Sequence, residues 1–434
     1  MNMSRQDIAQ YALEALSKAG ADKAACRVAS GRAEEFSVEA NKFSLLRTVF
    51  NDELYLKAIC KGAKGVAAVN QLDRESVDKA VADCIGLAAS APPDEAEDIA
   101  EKKDNKSFDQ SIGGPDKGSL FHRSKEFLEQ LGDEYPKIML ENFISEFNAS
   151  EVTYVNTNGV EFHEDREFYH FDSMFSAKDG DKTSSFNGYS VNISSLSKPF
   201  IDLGMHRTLL DESVRSLDTR TLEGKFIGKI IVTPAADDMI WQTLISCFLS
   251  DGPLVQGSSR WKDSLGKKVA DSKLTMRVAP LHAGVVAGQR FTADGYESYN
   301  TDLIRDGMLA SFALSLYGSR KTGHPRAGST AFGNIEVIAG NVPLADIIKG
   351  IDRGILINRF SGASPSPSGE ISGVAKNSFF IENGMVTDAL SETTVSFNVA
   401  DILRSIPAIS KEVCGNGISV LPWCCFDGVT ISGK

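Results

Sequence analysis

The sequence predicts an α+β protein: an N-terminal α+β domain, a middle segment and a large β-rich C-terminal domain. Three observations carry this. Residues 5–19 place Ile8, Tyr11, Ala12, Ala15 and Leu16 at spacings of three and four, the period of an amphipathic helix. Between residues 36 and 69 apolar residues alternate with polar ones or gather in short runs, as strands do. From Gly228 onward, short strand-like runs are separated by Gly, Asn, Asp, Ser and Pro, the punctuation of a β-rich region.

Taken in order, the first helix ends near Gly20 and four strand-like runs follow, Phe36-Ser-Val-Glu, Leu45-Leu-Arg-Thr-Val-Phe, Leu54-Tyr-Leu-Lys-Ala-Ile and Gly65-Val-Ala-Ala-Val. They read as a four-stranded meander. A second helix fits residues 74–90, with Val77, Ala80, Val81, Cys84 and Leu87 on one face, and Pro92-Pro93 stops it. These elements define a domain over 1–95. Residues 94–118 are rich in Asp, Glu, Lys, Gly and Ser with little to bury, so 96–118 reads as a solvated linker. A helix over 119–132 opens a middle domain, 119–221, with the strand-like Val152-Thr-Tyr-Val-Asn and Phe168-Tyr-His-Phe-Asp-Ser-Met-Phe and a connecting helix within 202–220. The third domain, 222–434, opens on Gly228-Lys-Ile-Ile-Val-Thr, with helices expected near 235–249, 343–350 and 399–404. Ser361-Gly-Ala-Ser-Pro-Ser-Pro-Ser-Gly is a loop by composition.

Composition narrows the function classes. The chain has 434 residues, 42% hydrophobic and 24% charged, enough for a sizeable core and two or three domains. Its first residues are polar and then amphipathic, unlike the basic start and apolar run of a signal peptide. No segment approaches the roughly 18 apolar residues that cross a bilayer. A cytoplasmic protein without a membrane partner is the expectation. The seven cysteines are scattered, odd in number and without a CxxC pair, which fits reduced thiols. A formal net charge of -12 and the lack of a long basic run argue against direct nucleic-acid binding.

Nucleotide and acyl-hydrolase chemistry lose their usual anchors, since GxSxG, a Walker A loop and a complete GxGxxG are missing. Gly415-Asn-Gly417 reads as a tight turn. His163-Glu164 brings a zinc peptidase to mind, but His170 lies seven residues on in an extended segment, and an odd separation puts two strand side chains on opposite faces. His122, His206, His282 and His324 stand apart from one another and read as surface or hydrogen-bonded histidines. Cys414 precedes the Gly-Asn-Gly turn, which could aim its sulfur into a cleft; a buried free thiol is the plainer reading. Cys424-Cys425 reads as packing.

The segment 36–70, followed by a helix and Ala89-Ser-Ala-Pro-Pro-Asp94, resembles the N-terminal domain of the TldD/TldE family, also called PmbA or modulator of DNA gyrase. Trp261-Lys-Asp-Ser-Leu-Gly-Lys-Lys-Val269, Tyr317-Gly-Ser-Arg-Lys-Thr-Gly-His324, Phe379-Phe-Ile-Glu-Asn-Gly-Met385 and Val429-Thr-Ile-Ser-Gly433 are similar to segments of that family in the same order. The resemblance spans essentially the whole chain.

It implies a dimer around a peptide-binding cleft. In TldD-like members a helix after the strand that opens the third domain carries His-Glu-x-x-x-His, and a later cysteine completes a zinc site. The matching helix here puts Trp241, Gln242 and Ser246 at those three positions. Trp and Ser do not replace imidazole, and Gln cannot take a proton as Glu does. Asp237 and Asp238 at its first turn are explained by the helix dipole. Cys414 resembles the cysteine ligand and reads as a vestige. Residues 361–373 are expected to form a mobile or ligand-ordered loop near the cleft, with Ser361, Gly362, Ser368 and Gly369 as candidate peptide contacts.

The implied function is a TldE-like subunit of a cytoplasmic metallopeptidase complex acting on unfolded or leader-bearing peptides. This chain then has no metal of its own, and zinc sits in a TldD-like partner; the partner is that paralogue or a second copy of this chain. Two alternatives stand beside it, a peptidase with an unrecognised metal site at Cys414 and a non-catalytic homodimeric binding protein.

Overall fold

A computed structural model describes residues 4–236, 238–330, 332–362, 365–391 and 393–434. Helix α1 (Arg5–Lys18) begins at Ser4, whose side chain accepts from the Asp7 amide while Asp7 returns to the Ser4 amide, a capping box. It buries Ile8, Ala9, Ala12 and Leu16. Strands β1 (Lys23–Glu39), β2 (Lys42–Cys60) and β3 (Ala63–Val69) follow as an antiparallel meander of three strands rather than four. The runs at 45–50 and 54–59 are one strand. The polar Asn51-Asp52-Glu53 between them stays in register with β1, because ladder hydrogen bonds belong to the backbone and need no apolar side chain. Helix α2 (Arg74–Ser90), capped by Asp73, lays Val77, Ala80, Val81 and Cys84 on the same sheet.

Residues 96–118 are not a detached tether. Ile99 and Ala100 are buried, and strand β4 (Lys106–Gln110) pairs within the sheet. Helix α3 (Lys117–Glu134) leads into β5 (Ile138–Asn156), β6 (Glu161–Asp179), β7 (Lys182–Thr183) and β8 (Asn187–Ile193), and α4 (His206–Arg215) closes the region. β5 runs antiparallel along β1 from Ala25↔Asn156 to Glu39↔Asn142. The segments 1–95 and 119–221 therefore share one sheet, in the order β3-β2-β1-β5-β6-β4 with β7 and β8 on β6. Strands of 17 to 19 residues are long enough, at roughly 3.3 Å per residue, to carry two helical layers. α1 and α2 cover one end, around Val28, Leu54 and Leu56; α3 and α4 cover the other, around Phe127, Phe143, Phe171 and Leu209. β3 reaches only Leu54–Cys60 of β2, so the first half of β2 is an open edge with Leu45, Leu46 and Phe50 exposed.

The opposite face of this sheet meets the rest of the chain, with Val152, Tyr154 and Phe162 against Phe291 and Tyr296. Among the described residues the second sheet has fourteen strands, mixed in direction. Its spine is Val420–Ser432, antiparallel to Lys225–Val232 and Ala408–Gly415; Lys225–Val232 pairs parallel to Arg353–Ile357 on its other side. Helix α5 (Asp238–Leu244) follows Lys225–Val232 and changes to a π turn over Ile245–Leu249. The helices expected near 343–350 and 399–404 are the short Leu344–Lys349 and Val399–Ile402. Leu316–Thr322 is a helix that sequence periodicity does not announce, having seven residues and a glycine in its first turns. Among the described residues no helix is long and apolar enough to cross a membrane.

Charged groups clamp the two sheets. Lys321 Nζ lies 2.9 Å from Asp94 Oδ2, to which Tyr317 Oη also donates at 3.1 Å, and Arg320 pairs with Asp98. The Lys321 ammonium beside it holds the Asp94 carboxyl down to about 2. Pro-Pro-Asp94 and the motif at 317–324 are thus two halves of one contact.

Candidate functional site

Strand Lys225–Val232 ends in Ile230, Ile231 and Val232, all fully buried, and delivers the chain to α5 at the heart of the second core. Trp241 faces that core with no exposed surface, 6.5 Å from the Phe426 ring, and its Nε1 has no hydrogen-bond partner among the described residues. Gln242 is spent on the backbone, donating from Nε2 to Phe332 O at 2.9 Å. Ser246 is exposed and donates to Thr243 O at 3.2 Å. Asp237 lies outside the described residues.

The loop sequence at 361–369 divides into two parts. Ser361 and Gly362 belong to the strand Arg359–Gly362, paired with Glu370–Lys376 through Ser361↔Val374 and Gly362↔Gly373. Small side chains read as a loop by composition, yet they leave the backbone free to pair. Residues 363 and 364 of the expected cleft loop lie outside the described residues. Ser368 and Gly369 lie against the π turn: Ser366 O accepts from Cys247 Sγ at 3.4 Å, and a Cβ on Gly369 would meet the Phe248 ring at 2.7 Å. Gly369 also has φ +84°, so a glycine is required on two counts. Asn398 Nδ2 donates to Ser368 O at 2.8 Å and Val399 N to Gly369 O at 2.9 Å.

Cys414 is the penultimate residue of the strand Ala408–Gly415, opposite Leu421. The turn after it is built by Asn416, whose Oδ1 accepts from Ile418 N and Ser419 N at 3.0 and 2.9 Å. That turn is docked on the first sheet, where Asn192 N donates to Asn416 O at 2.8 Å; a Cβ on Gly417 would sit 2.0 Å from Asn192 O. The sulfur lies 3.5 Å from Tyr189 Oη. Burial pushes the Cys414 thiol up from its ordinary value, away from the thiolate that binds metal. Among the described residues no hydrogen bond or ring contact joins Cys414 to Trp241, Gln242 or Ser246, and no group of three or more His, Cys, Asp and Glu side chains could hold a metal ion.

The histidines are ordinary. His163 pairs with Asp165 at 3.2 Å, while Glu164 points the other way and is buried, accepting from Gln110 Nε2 at 2.8 Å. Burial raises the Glu164 carboxyl. His206 is fully buried with Nε2 2.7 Å from Ser173 Oγ, and burial holds it neutral, down to about 3.

Register alone reveals one further feature. Arg47, Glu35, Glu146, His170 and Asn192 are successive Cα partners across β2, β1, β5, β6 and β8, and so stand side by side on the face turned to the second sheet. Arg47 Nε donates to Glu35 Oε2 at 2.8 Å, and His170 Nδ1 lies 2.7 Å from Asn192 Oδ1. The row ends at the turn after Cys414. Five residues from five strands leave no local signal in sequence.

A long-stranded α+β sheet clamped onto a mixed sheet, with a helix issuing from the latter's central strands, defines a two-sheet protein whose interface holds a polar strip and a cysteine-bearing turn. Residues 227–433 match the family model described as the PmbA/TldA metallopeptidase C-terminal domain. A "Metalloprotease PmbA homolog" of Haemophilus influenzae is 22% identical over 424 residues, covering 93% of this chain and 90% of that protein. "Metalloprotease PmbA" of Escherichia coli O157:H7 is 26% identical over 167 residues, a match that spans 38% of this chain and 37% of the relative. The fold superposes on TldE from Thermococcus kodakarensis with a TM-score of 0.85 at 19% identity, covering 98% of this chain and 100% of that one. A Bacteroides thetaiotaomicron structure described as that of a DNA gyrase modulator gives 0.82 at 21% identity, covering 99% of each chain. The C-terminal part of the chain, residues 227–433, thus matches the PmbA/TldD family, and the whole chain shares the fold of the TldE structure.

The family model is described as a metallopeptidase one, and the four residues expected from the sequence at its metal site do not fit a metal. Trp241 offers no lone pair, Gln242 and Ser246 are weak neutral donors, and burial disfavours the thiolate of Cys414.

Proposed function

We propose that this chain is the TldE-like subunit of a cytoplasmic peptidase complex. It pairs with a zinc-bearing TldD-like protein and helps hold unfolded or leader-bearing peptides for cleavage. The observation that carries this reading is the donor set: Trp241 and Gln242 of α5 and Ser246 of the π turn after it offer neither imidazole nor carboxylate. Extended peptides commonly bind by adding a strand to an open sheet edge. Among the described residues Arg359–Gly362 is paired on one side only, and its Ser361 and Gly362 are candidate peptide contacts. The open half of β2, with Leu46 and Phe50 exposed, is the edge that suits the TldD-like partner.

The test is elemental analysis of the dialysed protein together with cleavage of casein or an unfolded peptide, by the chain alone and after co-purification with a TldD-like protein. The expected result is no stoichiometric zinc in this chain and cleavage only in the presence of the partner. One zinc per chain with chelator-sensitive cleavage by this protein alone would overturn the reading and make it a peptidase in its own right.

A further inference from the structure

A cavity of about 430 Å³ lies where the far ends of β5 and β6 and the loop before β8 meet the hairpin Arg359–Gly362/Glu370–Lys376. Three cations line it, Lys178 from β6 and Arg359 and Lys376 from the hairpin, against one acid, Glu141. Arg359 and Lys376 are direct cross-strand partners, so their like charges stand side by side. Glu141 is engaged by Ser176 Oγ at 3.1 Å, and none of the three cations has a carboxylate partner among the described residues. Arg359 Nη1 donates to Phe186 O at 2.7 Å, which fixes that guanidinium at the cavity wall. In a chain of net charge -12, a pocket with unpaired cations is a local reversal of sign. Its rim carries two exposed apolar side chains, Met139 and Phe186.

Resting on the peptide-binding reading above, we propose that this pocket captures the C-terminal carboxylate of a peptide whose last side chain is apolar. The carboxylate meets Lys178 and Lys376 through charge-assisted hydrogen bonds, and the apolar side chain lies between Met139 and Phe186. The open edge of Arg359–Gly362 forms one wall, so a peptide added to that edge ends at the cations. A pocket of this volume falls within the range of small-ligand sites.

The test is fluorescence anisotropy of the full chain with a fluorescein-labelled unstructured peptide ending in leucine, prepared as the free acid and as the C-terminal amide. The acid is expected to bind roughly tenfold tighter than the amide, a preference that shrinks with added salt. The double variant Lys178→Ala, Lys376→Ala removes the preference, and Lys178→Arg, Lys376→Arg keeps it, which separates lost charge from lost fold. Equal binding of acid and amide overturns the carboxylate pocket while leaving peptide binding intact. An amidated peptide ending in aspartate that binds as well as the free acid overturns the terminal-carboxylate assignment in favour of any carboxylate. Failure of both peptides to bind, alone and with a TldD-like partner present, overturns the pocket and the peptide-binding reading together.

Discussion

Glu212 on α4 is 7% exposed and is met by the Asn358 side chain, whose Nδ2 donates to Glu212 Oε2 at 2.7 Å and to Asn377 O at 2.9 Å. Asn358 and Asn377 are themselves buried, and the Oδ1 of each has no hydrogen-bond partner among the described residues. Burial raises the Glu212 carboxyl from its ordinary 4.5 to about 8 despite the pull of Arg215, so the group is a neutral acid in the folded protein at pH 7. The unfolded chain ionises it at the ordinary value. Between those two values the native state holds the extra proton, and stability falls as pH rises through that window before levelling off above about 8. Glu212→Gln keeps the shape and the acceptor for Asn358 but cannot ionise. The unfolding free energy of the variant minus that of the wild type should widen by about 3 kcal/mol between roughly pH 5 and pH 8. Urea titrations followed by tryptophan fluorescence at several pH values measure this directly. Parallel pH profiles for the two proteins would refute the argument, because they would mean that Glu212 titrates alike folded and unfolded.

Two further perturbations follow from the site. Gly369→Ala should cost about 1–3 kcal/mol, since it forces an L side chain to φ +84° and drives a Cβ into the Phe248 ring; a thermal melt within error of wild type would contradict the close approach. Cys414 should alkylate slowly at pH 7 and faster as pH rises past the ordinary thiol value, because burial disfavours the thiolate more than the contact with Tyr189 favours it. Peptide mapping after iodoacetamide reads the rate at this residue, and rapid modification at neutral pH would restore Cys414 as a reactive or ligating thiolate.

The local periodicities of this sequence were enough for much of the architecture. Apolar spacings of three and four in residues 5–19 and 74–90 became α1 and α2, because a helix of that length buries one stripe and its caps, Ser4 and Asp73, lie beside it in sequence. A side chain's chemistry is carried by its identity, so Trp241 and Gln242 of α5 and Ser246 of the π turn after it offer no imidazole and no carboxylate in any fold. Other features were decided only in three dimensions. The pairing of β1 with β5 joins Ala25 to Asn156, and no local pattern specifies a partner at that distance. The same pairing makes one sheet of segments that read as separate regions, and gives β4 a place inside what looks like a polar linker. Register then sets Arg47, Glu35, Glu146, His170 and Asn192 in a row, and domain docking brings Tyr189 to Cys414 and Lys178 to Arg359 and Lys376. Sequence fixes which groups are present and the period with which they repeat. Which groups become neighbours depends on strand register and sheet packing, where the free energy comes from surfaces buried between segments far apart in the chain.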